Sequence, residues 1–319
     1  MSPTLLQPVS PHSLDQAAAL LKAGHLVAFP TETVYGLGAD ATNDAAVAKI
    51  YAAKGRPQFN PLIAHAAHAD ALRDHVVFSP LAEELAAHFW PGPLTLVLPQ
   101  HHSTTISRLA SAGLPTLAVR VPSHPAARQL LKIFGGPVVA PSANISGQLS
   151  ATTPQAVHKQ LGHHVGLILA DGKTTVGVES TIVDVTGDVP MLRRPGGITL
   201  EQLEPITGKL QHVTSSAPNS PGQLASHYAP RLPLRLNVSR AEATEAFLLF
   251  GPEVGLVGGA ERLNLSPRGD LVEAAANLFS YLDQLDHPQF SGIAVARIPT
   301  LGLGLAINDR LQRAAAPRH

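Results

Sequence analysis

The sequence predicts a mixed α/β protein with a large first domain and a smaller second one. Three observations lead there. Segments of helical periodicity alternate with short apolar runs along the chain. A length of 319 residues, at roughly 150 per domain, gives about two domains. Between His212 and Pro233 the composition turns to Ser, Pro, Asn and Gly, as a linker's does. With 45% hydrophobic residues and a mean hydropathy of +0.11, the chain can bury a sizeable core, which excludes global disorder.

Taken in order, the spacing of Leu14, Ala18 and Leu21 predicts a helix over 13–24, with Ser13 as N-cap and Gly24 as stop. A strand over 25–29 ends at Pro30. Thr31-Glu32-Thr33 then leads into the Gly-punctuated segment 34–38, where backbone can approach another group closely. A helix is predicted over 44–54, a strand over 62–65 and a helix over 81–89. Trp90-Pro91-Gly92-Pro93 is a rigid stop before a strand over 94–98. The pattern repeats as a strand (116–121), helix (125–134), strand (138–140), helix (154–161) and strand (166–169). Another strand is predicted over 180–185, and a short helix starts at 200–203. Beyond the linker come a strand (234–238), helix (240–247), strand (254–257), helix (271–285) and strand (292–296). The expected organisation is a domain over 1–211, a linker over 212–233 and a small α/β domain over 234–319.

Net charge is zero, with 23 basic and 23 acidic residues, so no field of the whole molecule attracts nucleic acid or an anionic membrane. Any anion site must be local. The absence of cysteine excludes disulfide frameworks, thiolate zinc sites and cysteine nucleophiles. The first ten residues do not read as a signal peptide and no apolar stretch approaches a membrane span, so a cytoplasmic protein is expected. There is no Gly-x-x-x-x-Gly-Lys-[Ser/Thr] loop, Gly-x-Ser-x-Gly elbow or His-Glu-x-x-His pair. The sixteen histidines are scattered, and the pairs His101-His102 and His163-His164 read as surface residues.

Lys54-Gly55-Arg56, with Asn60-Pro61 close behind, places two cations around a glycine at a predicted helix end. These suit a polyphosphate, or simply the dipole of the helix C-terminus. Pro141-Ser142-Ala143-Asn144 follows an apolar run, where ligands sit in open α/β sheets; an ordinary polar turn has the same composition. Glu179-Ser180-Thr181 and Arg194-Pro195-Gly196-Gly197 are further polar clusters beside glycines, readable as site or as turn.

In sequence order, Phe29 to Leu37, Lys54-Gly55-Arg56, Trp90 to Thr95, Ala118-Val119-Arg120, Pro141 to Asn144 and Glu179-Ser180-Thr181 closely resemble the threonylcarbamoyl-AMP synthase family with the YrdC-like fold. Ser220-Pro221-Gly222 and His227-Tyr228-Ala229-Pro230, followed by a further α/β unit, resemble its long two-domain form. The resemblance implies a twisted mixed sheet with a concave cavity, plus a Rossmann-like C-terminal domain. It also implies a cytoplasmic enzyme that condenses L-threonine, bicarbonate or CO2, and ATP into threonylcarbamoyl-AMP and pyrophosphate. The product serves modification of the tRNA adenosine next to the anticodon, through separate transfer proteins.

By motif match, Lys54, Arg56, Ser142 and Asn144 would form the phosphate site, and Asn60, Thr116, Ser150, Arg194 and Tyr228 would complete the ATP site. Thr31, Tyr35, His65, Arg120, Ala140, Ser180 and Thr181 would surround threonine, with Arg120 as partner of its carboxylate. Mg2+ would be held mainly by ATP phosphates, with no metal site of the protein's own. Tyr228 would make the linker a lid over the nucleotide, although Gln223-Leu224-Ala225-Ser226 departs from the commoner basic and aromatic stretch. The partners expected with it are its small-molecule substrates and the transfer proteins, with room for a weak RNA contact and none with a membrane. Two other functions fit the same blocks: a nucleic-acid-binding or ribosome-associated module without turnover, and another ATP-dependent carbamoyl-type transfer.

Overall fold

Residues 5–212 and 227–317 are described by the computed structural model. Strand β1 (Leu5–Pro8) leads into helix α1 (Pro11–Lys22), whose cap is Ser10. The Ser13 N–H donates to Ser10 Oγ and the Ser10 N–H donates to Ser13 Oγ, so Ser13, expected as the N-cap, instead closes a capping box inside a helix that starts about one turn earlier. Pro11 fits the first turn, where no N–H is needed. Strands β2 (Val27–Phe29) and β3 (Gly36–Asp40) pair antiparallel, so the Gly-punctuated segment continues as a strand. Helix α2 (Asp44–Lys54) matches the sequence expectation and ends at Gly55, whose φ of 58° is a left-handed turn that favours glycine.

There follow β4 (Ile63–His65), α3 (Pro80–Phe89), β5 (Leu94–Pro99), β6 (Thr116–Arg120), α4 (Pro125–Phe134), β7 (Val138–Val139) and α5 (Pro154–Leu161). Next come β8 (Leu167–Ala170), β9 (Thr181–Asp184), β10 (Met191–Arg194), α6 (Leu200–Thr207) and β11 (Gln211–His212). These eleven strands form one mixed sheet in the order β1-β8-β2-β3-β7-β4-β6-β5-β9-β10-β11.

Pleating explains where an open face remains. The main core takes Ala64, Leu96 and Val119 from the middle strands and packs them with Val47 and Ile50 of α2 and Leu85 of α3. Helices α1 and α4 cover the part of the sheet near β2 and β8 with Leu14, Leu21, Leu130 and Leu131. The alternate residues of the middle strands, Ile63, Val97, Ala118 and Ile182, form a small cluster of their own on the face away from the main core.

The smaller unit contains β12 (Leu234–Arg235), β13 (Ala246–Leu249), β14 (Glu261–Asn264), α7 (Leu271–Leu285), β15 (Ile293–Val295) and α8 (Leu303–Ala315). Its four strands are all parallel, in the order β12-β15-β13-β14, as in a Rossmann-like layer. Two expectations fail here. The predicted helix over 240–247 gives way to β13, because Ala246–Leu249 is buried on both faces in the middle of the sheet, and this burial overrides the helix preference of its alanines. The predicted strand over 254–257 is a turn with Val254 90% exposed; the edge strand is the more polar β14. Helix α8 had no counterpart in the sequence expectation.

Most of the expected linker, including Ser220-Pro221-Gly222 and Gln223-Leu224-Ala225-Ser226, lies outside the described residues. The two units share one apolar cluster, in which Val34, Leu149 and Val178 meet Tyr228, Leu278, Phe279 and Leu311. Gly177 is needed at this contact. Its φ is 76°, and a Cβ there would lie 2.3 Å from the Ala275 carbonyl oxygen of α7. Among the described residues, no helix is long and apolar enough to cross a membrane.

Candidate active site

A cleft with about 490 Å³ of open space lies over the open sheet face, lined by ends of strands and by the loops that follow them. Its lining includes eight residues singled out in the sequence: Arg56, His65, Arg120, Ala140, Ser142, Ser180, Arg194 and Tyr228. Strand direction accounts for this convergence. The parallel pair β4 and β6 matches His65 with Arg120, while β7 delivers Ala140 and Ser142 beside them.

The phosphate candidates are arranged in two tiers. Beyond the Gly55 turn, Arg56 Nη2 donates to Asn60 Oδ1 at 2.6 Å and to the Pro61 oxygen at 2.8 Å, while Nε donates to the Asn60 oxygen at 3.1 Å. Asn60 thus aims the guanidinium from outside the cleft lining. Lys54 stands behind the Ser142–Asn144 loop, donating to the Ser142 oxygen at 2.6 Å and to the Asn144 oxygen. Burial drives the Lys54 ammonium well below its usual pKa, Arg56 adds to the effect, and Glu179 opposes it. Burial lowers Arg56 to about 10, against opposing influences of Tyr51 and Tyr228 and with a further lowering by Arg194. Asn144 turns its amide N–H groups to the Ile145 and Gln148 oxygens and shapes the loop from within.

Opposite them, Arg194 donates from Nε and Nη2 to the Ser180 oxygen at 3.1 and 2.9 Å. Glu179 lines the same cleft. One carboxylate oxygen accepts the Ser150 hydroxyl; the other accepts Arg310 Nε at 2.8 Å. Burial alone would raise the Glu179 pKa, but Arg310, Arg194 and these hydrogen bonds outweigh it and hold the carboxyl at about 2.

At the other end Arg120 is held by three acceptors: the Gly92 oxygen at 3.1 Å, Thr33 Oγ1 at 3.0 Å and Glu32 Oε1 at 2.6 Å. Part of its fork remains for a further oxygen. Burial raises Glu32, but its pairing with Arg120 prevails and keeps it ionised, below the usual carboxylate range. His65 Nδ1 lies 3.1 Å from the Ile63 oxygen. Burial, aided by Arg120, lowers its pKa to about 3, so the ring is neutral near pH 7.

Other expected site residues stand outside the lining. Thr31 Oγ1 donates to the Val34 oxygen at 2.6 Å and contacts Thr33 Oγ1 at 2.8 Å, supporting the loop whose Thr33 faces the cleft. Thr181 Oγ1 donates to the Ile198 oxygen at 2.6 Å, which fixes the strand behind Ser180. Tyr35 does not wall the pocket. It is fully buried in the main core, its hydroxyl donating to the Gly172 oxygen and accepting from the Asp171 N–H, with burial pushing its pKa up to about 12. Thr116 shares the Arg120 face of β6 by alternation, but at the opposite end of the strand, so only a ligand extended along the sheet reaches it.

Thr33, Val34, Ile63, Pro141, Glu179 and His227 line the cleft without having been singled out as contacts. All of these but Ile63 lay within the quoted motif blocks. Arg310 carried no such signal, since it comes from the unforeseen α8. Tyr228 is fully buried, with its ring 4.0 Å from that of His227 and 5.2 Å from Arg310 Cζ.

A family model described as telomere recombination, for Sua5, YciO and YrdC, matches residues 19–196. One described as threonylcarbamoyl-AMP synthase, C-terminal domain, matches residues 198–316, so it includes α6 and β11 although β11 pairs with the large sheet. The chain is 41% identical over 325 residues to the threonylcarbamoyl-AMP synthase of Bacillus subtilis, covering 96% of this chain and 93% of the relative. It is 40% identical over 322 residues to that of Pyrococcus abyssi, covering 95% and 94%. Its structure is similar to the crystal structure of P. abyssi Sua5 complexed with L-threonine, with a TM-score of 0.88 at 35% identity over 98% and 97% of the two chains. Sequence, sheet topology and two-unit organisation therefore agree that this chain belongs to the threonylcarbamoyl-AMP synthase family, in its two-domain form.

Proposed function

We propose that this chain is an L-threonylcarbamoyladenylate synthase, a nucleotidyltransferase that makes threonylcarbamoyl-AMP and pyrophosphate from L-threonine, bicarbonate or CO2, and ATP. The observation that carries this reading is a charge imbalance in the cleft. Arg56 and Arg194 line it with Lys54 close behind, while Glu179, the only carboxylate among the described lining residues, is already engaged by Arg310 and Ser150; Arg120, at the other end of the lining, has its own partner in Glu32. Buried cations without counter-charge are costly, and a polyphosphate supplies several anionic oxygens at once.

In this reading the threonine amine attacks the carbon of bicarbonate or CO2, giving N-carboxy-threonine with loss of water or a proton. A carboxylate oxygen of that product then attacks the α-phosphorus, the bond to the bridging oxygen breaks, and pyrophosphate leaves with the electron pair. Arg120, oriented by Glu32 and Thr33, binds the threonine carboxylate beside His65, Ala140 and Ser180. Thr31 and Thr181 support that wall. Arg56, Arg194 and Ser142 meet phosphate oxygens, while Lys54 and Asn144 hold the Ser142 loop and Ser150 holds Glu179. Thr116 and Tyr228 bound the nucleotide. No general base is assigned.

Glu32 and Glu179 are engaged by arginines, so the donor set fits a Mg2+ that would be carried by nucleotide oxygens and would there neutralise charge on the leaving pyrophosphate. We assign the chemistry to residues 1–211, with 212–233 as linker and 234–319 as a smaller unit. A cytoplasmic location and separate proteins for transfer to tRNA belong to the same reading.

The test is pyrophosphate release from ATP with Mg2+ and bicarbonate, comparing L-threonine, L-serine, glycine and no amino acid. Release that depends on threonine, with the mass of threonylcarbamoyl-AMP in the products, is expected. Release indifferent to threonine would overturn the assignment. Lys54→Met and Arg56→Met should each lower the rate about 100-fold or more in folded protein; an unchanged rate in either removes that residue from the phosphate site.

A further inference from the structure

Arg310 is an unusual residue for a helix that docks by apolar contact. Its neighbours on the buried face of α8 are Ile307, Leu311 and Ala314, yet the guanidinium is 1% exposed at the junction of the two units. A buried arginine of this kind is rare unless its charge is used. Its Nε reaches Glu179 at 2.8 Å, its Nη1 reaches Asp309 at 2.7 Å, and its Cζ lies 5.2 Å from the centre of the Tyr228 ring. Among the described residues Nη2 has no hydrogen-bond partner.

Glu179 is a carboxylate set among cations. Arg194 lies close enough to influence it strongly, and Lys54 feels its charge. A buried carboxylate that lost its partner would take the nearest available donor. Here those donors are the groups that face the cleft or stand behind it.

We propose that Arg310 is a positioning residue for the anion site: by engaging Glu179 it keeps that carboxylate off Arg194 and Lys54, leaving both for the nucleotide phosphates. The smaller unit thereby takes part in nucleotide binding without touching the nucleotide. Asp309, paired with both Arg310 and Arg313, fixes the guanidinium from the other side. The Tyr228 ring lies against the same guanidinium, so the position of α8 also bears on the cleft wall.

This inference rests on the nucleotide reading above, and the experiment separates the two. Mg2+-ATP affinity is measured by titration calorimetry on the full chain and on Arg310→Met, Arg310→Lys and the double variant Glu179→Gln/Arg310→Met. The threonine KM is taken from pyrophosphate release, and folding is checked by circular dichroism. Arg310→Met should weaken Mg2+-ATP about tenfold or more and leave the threonine KM within about twofold, and Arg310→Lys should recover part of the loss. The double variant should return to within about threefold of the parent, because a neutral amide no longer competes for Arg194.

Unchanged affinity in Arg310→Met, or a double variant as weak as the single one, overturns the proposal and leaves Arg310 a purely structural anchor of α8. If Arg310→Met does not fold, the double variant decides alone, and a tenfold or greater loss in it (about that order) overturns the proposal. A parent chain that fails to bind Mg2+-ATP strikes the nucleotide reading instead.

Discussion

Removing the Glu32 carboxylate tests how the threonine end of the cleft is held. Glu32 and Arg120 form an ion pair at 2.6 Å with side chains only 8% and 4% exposed, and Glu32 also accepts the Ser123 N–H at 3.1 Å. Glu32→Ala leaves the Arg120 charge buried without its counter-ion, which costs about 3–5 kcal/mol. For a unit of roughly 200 residues, at about 2–4 °C per kcal/mol, the melting midpoint should fall by about 6–20 °C. The single tryptophan, Trp90, lies in the same unit, so its fluorescence follows the transition. Removing both charges in Glu32→Ala/Arg120→Met should recover most of the loss, since an empty pair is far cheaper than a broken one.

The pH dependence has a defined sign. Glu32 is held below its ordinary pKa, so its contribution is present above the unfolded carboxylate range, about pH 4.3, and fades as pH falls through the lower folded value. The gap between parent and Glu32→Ala should therefore narrow in acid. A midpoint lowered by less than about 2 °C near pH 7, or a double variant no more stable than the single one, would refute this account of the pair.

Further expectations concern the anion site and the contact between the units. Burial lowers the Lys54 pKa and bound phosphate opposes that, so nucleotide should raise it. Calorimetry over a range of alkaline pH in buffers of different ionisation enthalpy should show any proton linked to this group taken up, never released, with ATP, and Lys54→Met should remove that linkage. Gly177→Ala combines a φ of 76° with a Cβ 2.3 Å from the Ala275 oxygen, so it should destabilise the contact with α7 by about 1–3 kcal/mol or more. Limited proteolysis between the units should accelerate; an unchanged cleavage rate would mean the contact is more yielding than its geometry suggests.

Much of this protein was legible from its residues because the signals were local. Helices α2, α4, α5 and α7 have their expected bounds: periodic apolar positions, caps such as Asn43 and Thr153, and first-turn prolines act within a few residues of where they occur. The polar blocks at Lys54–Arg56, Pro141–Asn144 and Glu179–Thr181 stood out locally too, because cations, hydroxyls and glycines cluster there, but their composition fits a turn as well as a site and only the family resemblance gave them roles.

The failures have a different origin. Ala246–Leu249 is a strand because neighbours on both sides bury it, and no property of those four residues announces which neighbours they have. Tyr35 belongs to a motif block and still faces the core, since only the pleat and the loop at Asp171–Gly172 decide which way its ring points.

The sequence alone determined the alternating architecture, the family and the chemical character of the ligand-facing groups, because these follow from residue type and spacing. Tertiary structure alone decided which of those groups share a cleft, that Lys54 stands behind Ser142 while Arg56 faces inward, and that Arg310 holds Glu179 from 131 positions away. Charges buried at such a junction act through distance in space, and separation along the chain carries no record of it.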